Sequence, residues 1–187
     1  MPTTVNHLRD VRILECKMHR DSRGAFAETW HEVRYREAGI PSRFVQDNVS
    51  WSSQGVLRGL HYQWPHPQGK LISVLSGEVF DVAVDLRVGS PSFGKWAGYT
   101  LSHDGGRQVY VPPGFAHGFV VLSEQAIFSY KCTELYRPDA ERLLRWDDED
   151  LAIEWPVGDV HLSDRDNHAP RLRDVPRHHL PAYAAAG

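Results

Sequence analysis

Between Val56 and Lys70 the chain reads VLRGLHYQWPHPQGK, which sets Arg58, His61, Gln63, His66 and Lys70 within one short stretch. The flanks have strand character, and a strand points alternate residues to opposite faces. Leu57, Gly59, His61 and Gln63 are therefore expected on one side. An imidazole, with a reference pKa near ~6.5, is suited to exchange protons at neutral pH. The neighbouring Arg58 and Lys70 favour a concave site for an anionic ligand, because cations buried without anionic partners are costly. A satisfied core histidine is the competing structural reading of His61, and those two cations weigh against it.

Further polar groups recur at intervals along the chain. Tyr110 to Phe119, YVPPGFAHGF, makes a tight turn preset by two prolines and a glycine, and delivers His117 to the next strand. A buried structural role and a ligand contact are equally open for His117 at this point. In Phe128 to Tyr136, FSYKCTELY, alternation allows only one of Tyr130 and Lys131 to point inward. An inward Tyr130 would face a substrate from the side opposite His61, while Tyr136 near a strand end could stack on a planar base. Earlier, DSRGAFAE (Asp21 to Glu28) packs Arg23, Phe26 and Glu28 into a turn and strand. FVQDNVS (Phe44 to Ser50) places Gln46 and Asn48 on one strand face, turned either to solvent or to a polar cavity.

Strand-like runs separated by turn signals position these groups. Lys70 to Leu75, Ser76-Gly77 and Glu78 to Leu86 read as a hairpin. Trp96 to Leu101, Gln108 to Val111, Gly118 to Leu122 and Ala126 to Lys131 read as further strands. Many short strands imply a sandwich or barrel, an all-β jelly roll whose mouth is lined from two sheets. Helix is expected only over His31 to Ala38, ended by Gly39 and the Ile40-Pro41 step, and near Asp147 to Ala152. The segment from Pro170 onward, with three prolines, is expected on the surface with its last residues poorly ordered.

With 187 residues the chain suits one domain, residues 1–187, with 171–187 as a C-terminal tail. A net charge of −3 argues against a general nucleic-acid binder, which needs a basic surface. No apolar run approaches the ~20 residues that span a bilayer, and MPTTVNHLRD lacks a signal-peptide pattern. Cys16 and Cys132 match no zinc or redox spacing and read as reduced thiols of a cytoplasmic protein.

Taken together and in order, DSRGAFAE, FVQDNVS, VLRGLHYQ, QGKLISVLSGEVFDVAVDLR, SPSFGKW, VPPGFAHGF, FSYKCTELY, RWDDEDLAIEWP and LSDRDNHAP resemble the nucleotide-sugar 3,5-epimerases of the dTDP-rhamnose pathway. The resemblance spans about residues 10 to 170. It implies a cupin-like double-stranded β-helix with a few short helices, acting without cofactor or metal on a dTDP-linked 4-keto-6-deoxy sugar. It also implies a homodimer with exchanged N-terminal strands. By that resemblance His61 is the general base, Asp166 its orienting carboxylate, Tyr130 the general acid and Lys70 the cation near the developing enolate. Arg23, Glu28, Gln46, Asn48, Arg58, His117 and Tyr136 would hold the nucleotide sugar, and Phe26 would pack on the base.

Three alternatives stand beside this reading: an epimerase of a single centre, a metal-dependent cupin enzyme, and a sugar-binding module without activity. Metal-binding cupins commonly carry a His-x-His pair, and here Gln63 stands where the second imidazole would be. The absence of a dinucleotide fingerprint agrees with chemistry that needs no redox cofactor.

Overall fold

The computed structural model describes residues 4–5, 8–41 and 43–184. Its elements run β1 (Thr4–Val5), β2 (Arg12–Glu15), β3 (Met18–Asp21), β4 (Gly24–Ala27), α1 (Glu32–Glu37), β5 (Gln46–Ser53), β6 (Leu57–Gln63) and β7 (Lys70–Ser76). They continue with β8 (Glu78–Asp85), β9 (Trp96–Ser102), β10 (Arg107–Val111), β11 (Phe115–Val121), β12 (Gln125–Cys132), β13 (Glu141–Leu143) and α2 (Asp164–Asn167). Two antiparallel sheets face each other, one in the order β1-β9-β8-β11-β6-β13 and one in the order β2-β10-β7-β12-β5. Together they make the expected cupin-like jelly roll, with β3 and β4 as a separate two-stranded hairpin.

Ser76-Gly77 is a corner between sheets and not a hairpin. β7 pairs with β10 and β12 in the five-stranded sheet, whereas β8 pairs with β9 and β11 in the other. Gly77, at φ +79°, allows this bend because a Cβ there would lie 2.1 Å from the Gln125 carbonyl oxygen.

Alternation sorts apolar residues into layers. Ile72, Val74, Val79, Ala83, Val109, Phe115, Phe119 and Phe128 fill the space between the sheets. The Phe119 and Phe128 rings stack across that space with centroids 3.9 Å apart. The opposite face of the six-stranded sheet is also covered. Leu57, Leu60, Phe80, Val82, Val84 and Val120 pack there under Leu144, Leu151, Trp155 and other residues of the C-terminal segment. Phe80, Val82, Val84 and Leu86, alternate residues of EVFDVAVDL, are all apolar for that reason. A third cluster seats Tyr35 of α1 with Ile40, Trp30 and Phe44 on Leu71 and Tyr110.

The first expected helix forms over Glu32–Glu37, where His31 accepts the Arg34 N–H as N-cap and Gly39 at φ +81° follows the end. The second does not form, and residues 147–152 make turns. Asp148 is buried there, with its carboxylate accepting the Asp150 and Leu172 N–H groups, and Ala152 turns left-handed at φ +48°. The segment beyond Pro170 runs over the surface but is tied down. Leu172, Val175 and Leu180 pack on the outer cluster, and Val88 exchanges backbone bonds with Pro181 and Tyr183. The expected disorder of the last residues falls on 185–187, outside the described residues.

Asp85 ends β8 inside the protein. Its carboxylate accepts from the Arg87 N–H, Nε and Nη2, and from the Ser90 and Ser92 hydroxyls. Burial pushes this carboxyl up, yet the donors outweigh burial and hold it below its ordinary value. A depressed carboxyl stabilises the fold fully above its unfolded pKa, ~3.9, and loses that contribution as pH falls through the folded value. Asp85→Ala leaves Arg87 with Asp10 alone and the Ser90 and Ser92 hydroxyls with each other, and should destabilise the fold by about 1–3 kcal/mol in urea titrations at neutral pH. A loss below ~1 kcal/mol would show that the network is solvated and contributes little.

Candidate active site

The polar groups of the interior are delivered by strand register. His61 pairs with His117, but Arg58 pairs with Phe119, so β6 carries one more residue than β11 between these points. Simple alternation is therefore corrected. Arg58 and His61 both lie opposite inward residues of β11, while Leu57, Leu60 and Tyr62 turn to the outer cluster. Gly59 makes the slip feasible at φ +128°, since a Cβ there would meet the Gly118 Cα at 2.6 Å.

His61 is the junction of the site. Its Nε2 lies 2.6 Å from Asp166 Oδ1, with the His61 side chain 32% exposed and that of Asp166 only 6%. α2 presents Asp166 because Ser163 caps the helix and accepts the Asp166 N–H. Burial pushes the Asp166 carboxyl up, but the His61 bond and charge, with Ser163 and the Gly59 N–H, bring it below its usual value. Asp166 is thus ionised at neutral pH and orients the imidazole.

The facing sheet contributes Lys70, Tyr130, Cys132, Gln46 and Asn48. Tyr130 pairs with Asn48 and Ile72, and Cys132 with Gln46 and Lys70, which places all of them in the inward phase. Lys131 takes the outward phase and bonds Asp47. Lys70 Nζ stands 5.7 Å from the Tyr130 ring centroid. Desolvation lowers the lysine pKa, opposed by Cys132, Asp81 and Glu141. Burial raises the Tyr130 phenol to about 12, so it keeps its proton at neutral pH and is available as an acid.

His117 is buried, with Nε2 2.7 Å from Asp81 Oδ2. Burial lowers its pKa against the pull of Asp81, and Lys70 and His61 add to the lowering. Arg58 Nε donates to the Ser52 hydroxyl. Gln46 accepts the Tyr136 N–H at 2.7 Å and donates to Asn48, whose amide reaches Cys132 Sγ. The Tyr136 hydroxyl donates to Glu141, which also holds Arg165. Gln63 is occupied throughout: its amide donates to the His66 and Leu135 carbonyls and accepts the Arg137 N–H. Among the described residues no three His, Cys, Asp or Glu side chains converge as metal ligands do.

Within one chain the structure brings together His61, Asp166, Lys70, Tyr130, Gln46, Asn48, Arg58, His117 and Tyr136. It does not bring in Arg23, Phe26 or Glu28. Arg23 is 88% exposed and paired with Asp21, Phe26 is 71% exposed, and Glu28 holds Arg34. Phe26 and Glu28 line a separate groove of about 670 Å³ with Cys16 and Tyr35.

Sequence reasoning missed Asp81 and Glu141 as members of the site. Asp81 had a signal, since it is a carboxylate in phase with inward Val79 and Ala83. Glu141 had none, because its place depends on the short β13 pairing with Gln63.

The Asp166 balance is measurable by carbon NMR of its carboxyl. The wild type should titrate below the reference value of 3.8, and His61→Ala should raise the midpoint by leaving only Ser163 and the Gly59 N–H to oppose burial. An unmoved midpoint would show that the pair does not hold Asp166 ionised.

A family model described as dTDP-4-dehydrorhamnose 3,5-epimerase matches residues 5–174. The chain is 49% identical over 177 residues to the enzyme of that name from Pseudomonas aeruginosa, covering 94% of this chain and 98% of that one. A crystal structure of a Legionella pneumophila dTDP-6-deoxy-D-glucose-3,5-epimerase in complex with dTDP-4-keto-L-rhamnose superposes with a TM-score of 0.94. That structure is 50% identical, and the match covers 99% of this chain and 100% of that one. A 3′-monoepimerase from Streptomyces bikiniensis in complex with dTDP-quinovose follows at a TM-score of 0.87 and 36% identity, covering 92% of this chain and 89% of that one. The chain belongs to the dTDP-4-dehydrorhamnose 3,5-epimerase family.

Proposed function

We propose that this enzyme inverts C3 and C5 of a dTDP-linked 4-keto-6-deoxy sugar, with His61 as base and Tyr130 as acid. The observation that carries the reading is the arrangement of the interior walls. The His61–Asp166 pair stands on the six-stranded sheet, and Lys70 and Tyr130 stand on the inward face of the five-stranded sheet. In a 4-keto sugar both C3 and C5 are α to the carbonyl, so their protons become acidic once the enolate is stabilised. His61 takes a proton from one face of the ring, and Asp166 stabilises the imidazolium that forms. Tyr130 returns a proton from the opposite face and inverts the centre. Lys70 near O4 acts on charge that develops only in the transition state, where a fixed cation is most effective. Arg58 serves the phosphate end as a charge-assisted donor, Gln46, Asn48 and His117 hold the sugar nucleotide, and Tyr136 stacks at the mouth. The protons removed and returned balance, so the reaction needs no net oxidant or reductant.

Arg23, Phe26 and Glu28 enter this scheme from a second copy. They stand on a hairpin with an exposed aromatic ring, away from their own chain's His61. A homodimer that exchanges N-terminal segments would place the hairpin of one copy at the mouth of the other, with Phe26 on the base and Arg23 at the phosphates.

His61→Ala should reduce turnover by at least ~10²–10⁴-fold, as for other positioned acid-base groups. Near wild-type turnover would remove His61 from the mechanism. In deuterated solvent, NMR of the product should show label at both C3 and C5, whereas label at one carbon alone would identify a single-centre epimerase. Shared sites make a separate prediction. Co-expressed His61→Ala and Arg23→Ala chains should form mixed dimers more active than either parent, because one of their two sites is intact. Activity no higher than the parents would rule out a contribution of Arg23 across the interface.

A further inference from the structure

Gln63 stands two residues beyond His61 in the same inward phase of β6, at the position of the second imidazole in a His-x-His pair. It is 5% exposed, and its amide is spent on backbone. Nε2 donates to the His66 and Leu135 carbonyls, and Oε1 accepts the Arg137 N–H at 2.8 Å. Two carbonyls at one end of the amide and an N–H at the other leave it a single orientation.

The Leu135 carbonyl and the Arg137 N–H are the peptide groups on either side of Tyr136. One side chain therefore holds that residue as a neighbouring strand would. Tyr136 lies between β12 and β13, outside any strand, and is 45% exposed. Its own N–H goes to Gln46 on β5 at 2.7 Å. Its hydroxyl goes to Glu141 on β13, the cross-strand partner of Gln63. Backbone and ring tip of one loop residue are thus fixed from both sheets. The same amide also ties down the loop after β6, where His66 is left-handed at φ +66°, a conformation that disfavours side chains. Satisfaction of buried backbone does not by itself explain why these bonds converge on one exposed aromatic residue.

We propose that Gln63 is the positioning residue of Tyr136, presetting its ring at the mouth so that a nucleotide base stacks on it without first ordering the loop. The effect on binding rests on the reading of Tyr136 as the residue that stacks at the mouth. A ring already held loses little freedom when a ligand covers it, and the difference appears as affinity. Gln63 itself touches no ligand, because its amide is committed to the two loops.

Hydrogen exchange and calorimetric titration with dTDP test this on the full chain, and neither involves turnover. Gln63→Met keeps the length of the side chain and removes its bonds to both loops. The Arg137 amide should exchange at least about tenfold faster in this variant than in the wild type. The variant should also bind dTDP about tenfold more weakly. In a Tyr136→Ala background the same substitution should change dTDP affinity by less than about twofold, because the residue it acts through is gone. An equal loss in both backgrounds would show that Gln63 acts on the fold at large, and would overturn the proposal. Unchanged Arg137 exchange would overturn it too, as would wild-type dTDP affinity in Gln63→Met where Tyr136→Ala has lost it. If Tyr136→Ala alone binds dTDP as the wild type does, stacking at the mouth is refuted instead, and Arg137 exchange decides whether Gln63 holds the segment. Heat denaturation verifies that each variant is folded. Should Gln63→Met not fold, Gln63→Glu, which keeps the volume and the acceptor for Arg137 but not the donors, replaces it in the titrations.

Discussion

The slip of one residue between β6 and β11 governs the orientation of everything around it. With strict alternation Arg58 would share a face with Leu60 and Tyr62, and the two cationic and basic groups of the motif would part. The extra residue at Gly59 instead places Arg58 opposite Phe119 and His61 opposite His117, both inward. The same slip turns Leu57, Leu60 and Tyr62 outward, where the C-terminal segment buries them. Two glycines, Gly59 and Gly118, meet at the slip because side chains there would collide with backbone. The site and the outer apolar layer are thus two results of one backbone feature.

The basic groups of the site persist in the interior because each faces a counterpart. His61 has Asp166, His117 has Asp81, and Lys70 lies within the field of Asp81 and Glu141. Interactions in such an enclosure are stronger than in water, so a substrate that closes the mouth would strengthen all of them together. Burial drives Tyr130 and Lys70 in opposite directions along the pH scale, up for the phenol and down for the ammonium. The phenol then keeps its proton to donate, and the ammonium holds its proton less tightly than in water. Carboxylates of Asp81 and Glu141 counter that loss at Lys70, which is why these two residues belong to the site although neither contacts His61.

Much of this was legible in sequence wherever period-2 alternation was clear. Phase alone sets Tyr130 against Lys131 and Gln46 with Asn48 without saying which side is inward, and the structure turns Tyr130, Gln46 and Asn48 to the cavity and Lys131 away from it. Ser76-Gly77 misled because a turn signal is local. The same two residues serve a hairpin or a corner, and only the pairing of distant strands decides which. Asp166 lies 105 residues from His61, beyond any spacing rule, and was reached only through resemblance to a family. Acidic residues at 147–152 suggested a helix, but Asp148 is spent on capping a turn and fastening Leu172. Prolines beyond Pro170 place that segment on the surface but do not show what fastens it there, which is the apolar face of Leu172 and Val175.

One chain leaves its own surface unfinished in two places. Among the described residues the β3–β4 hairpin pairs with no other strand, and two strands alone are marginal in water. The edge strand β5 presents Val49 and Trp51 outward, the latter 69% exposed, beside Leu75 on the same sheet. Large apolar side chains grouped on one sheet face are the usual mark of a contact surface. Under the proposed exchange of N-terminal segments, a second copy would cover this face and receive the hairpin. Phe26, idle in its own chain, would then gain a ring to stack on. A site completed only on assembly also ties catalysis to folding, because no isolated chain could hold both the proton-transfer groups and the full set of nucleotide contacts.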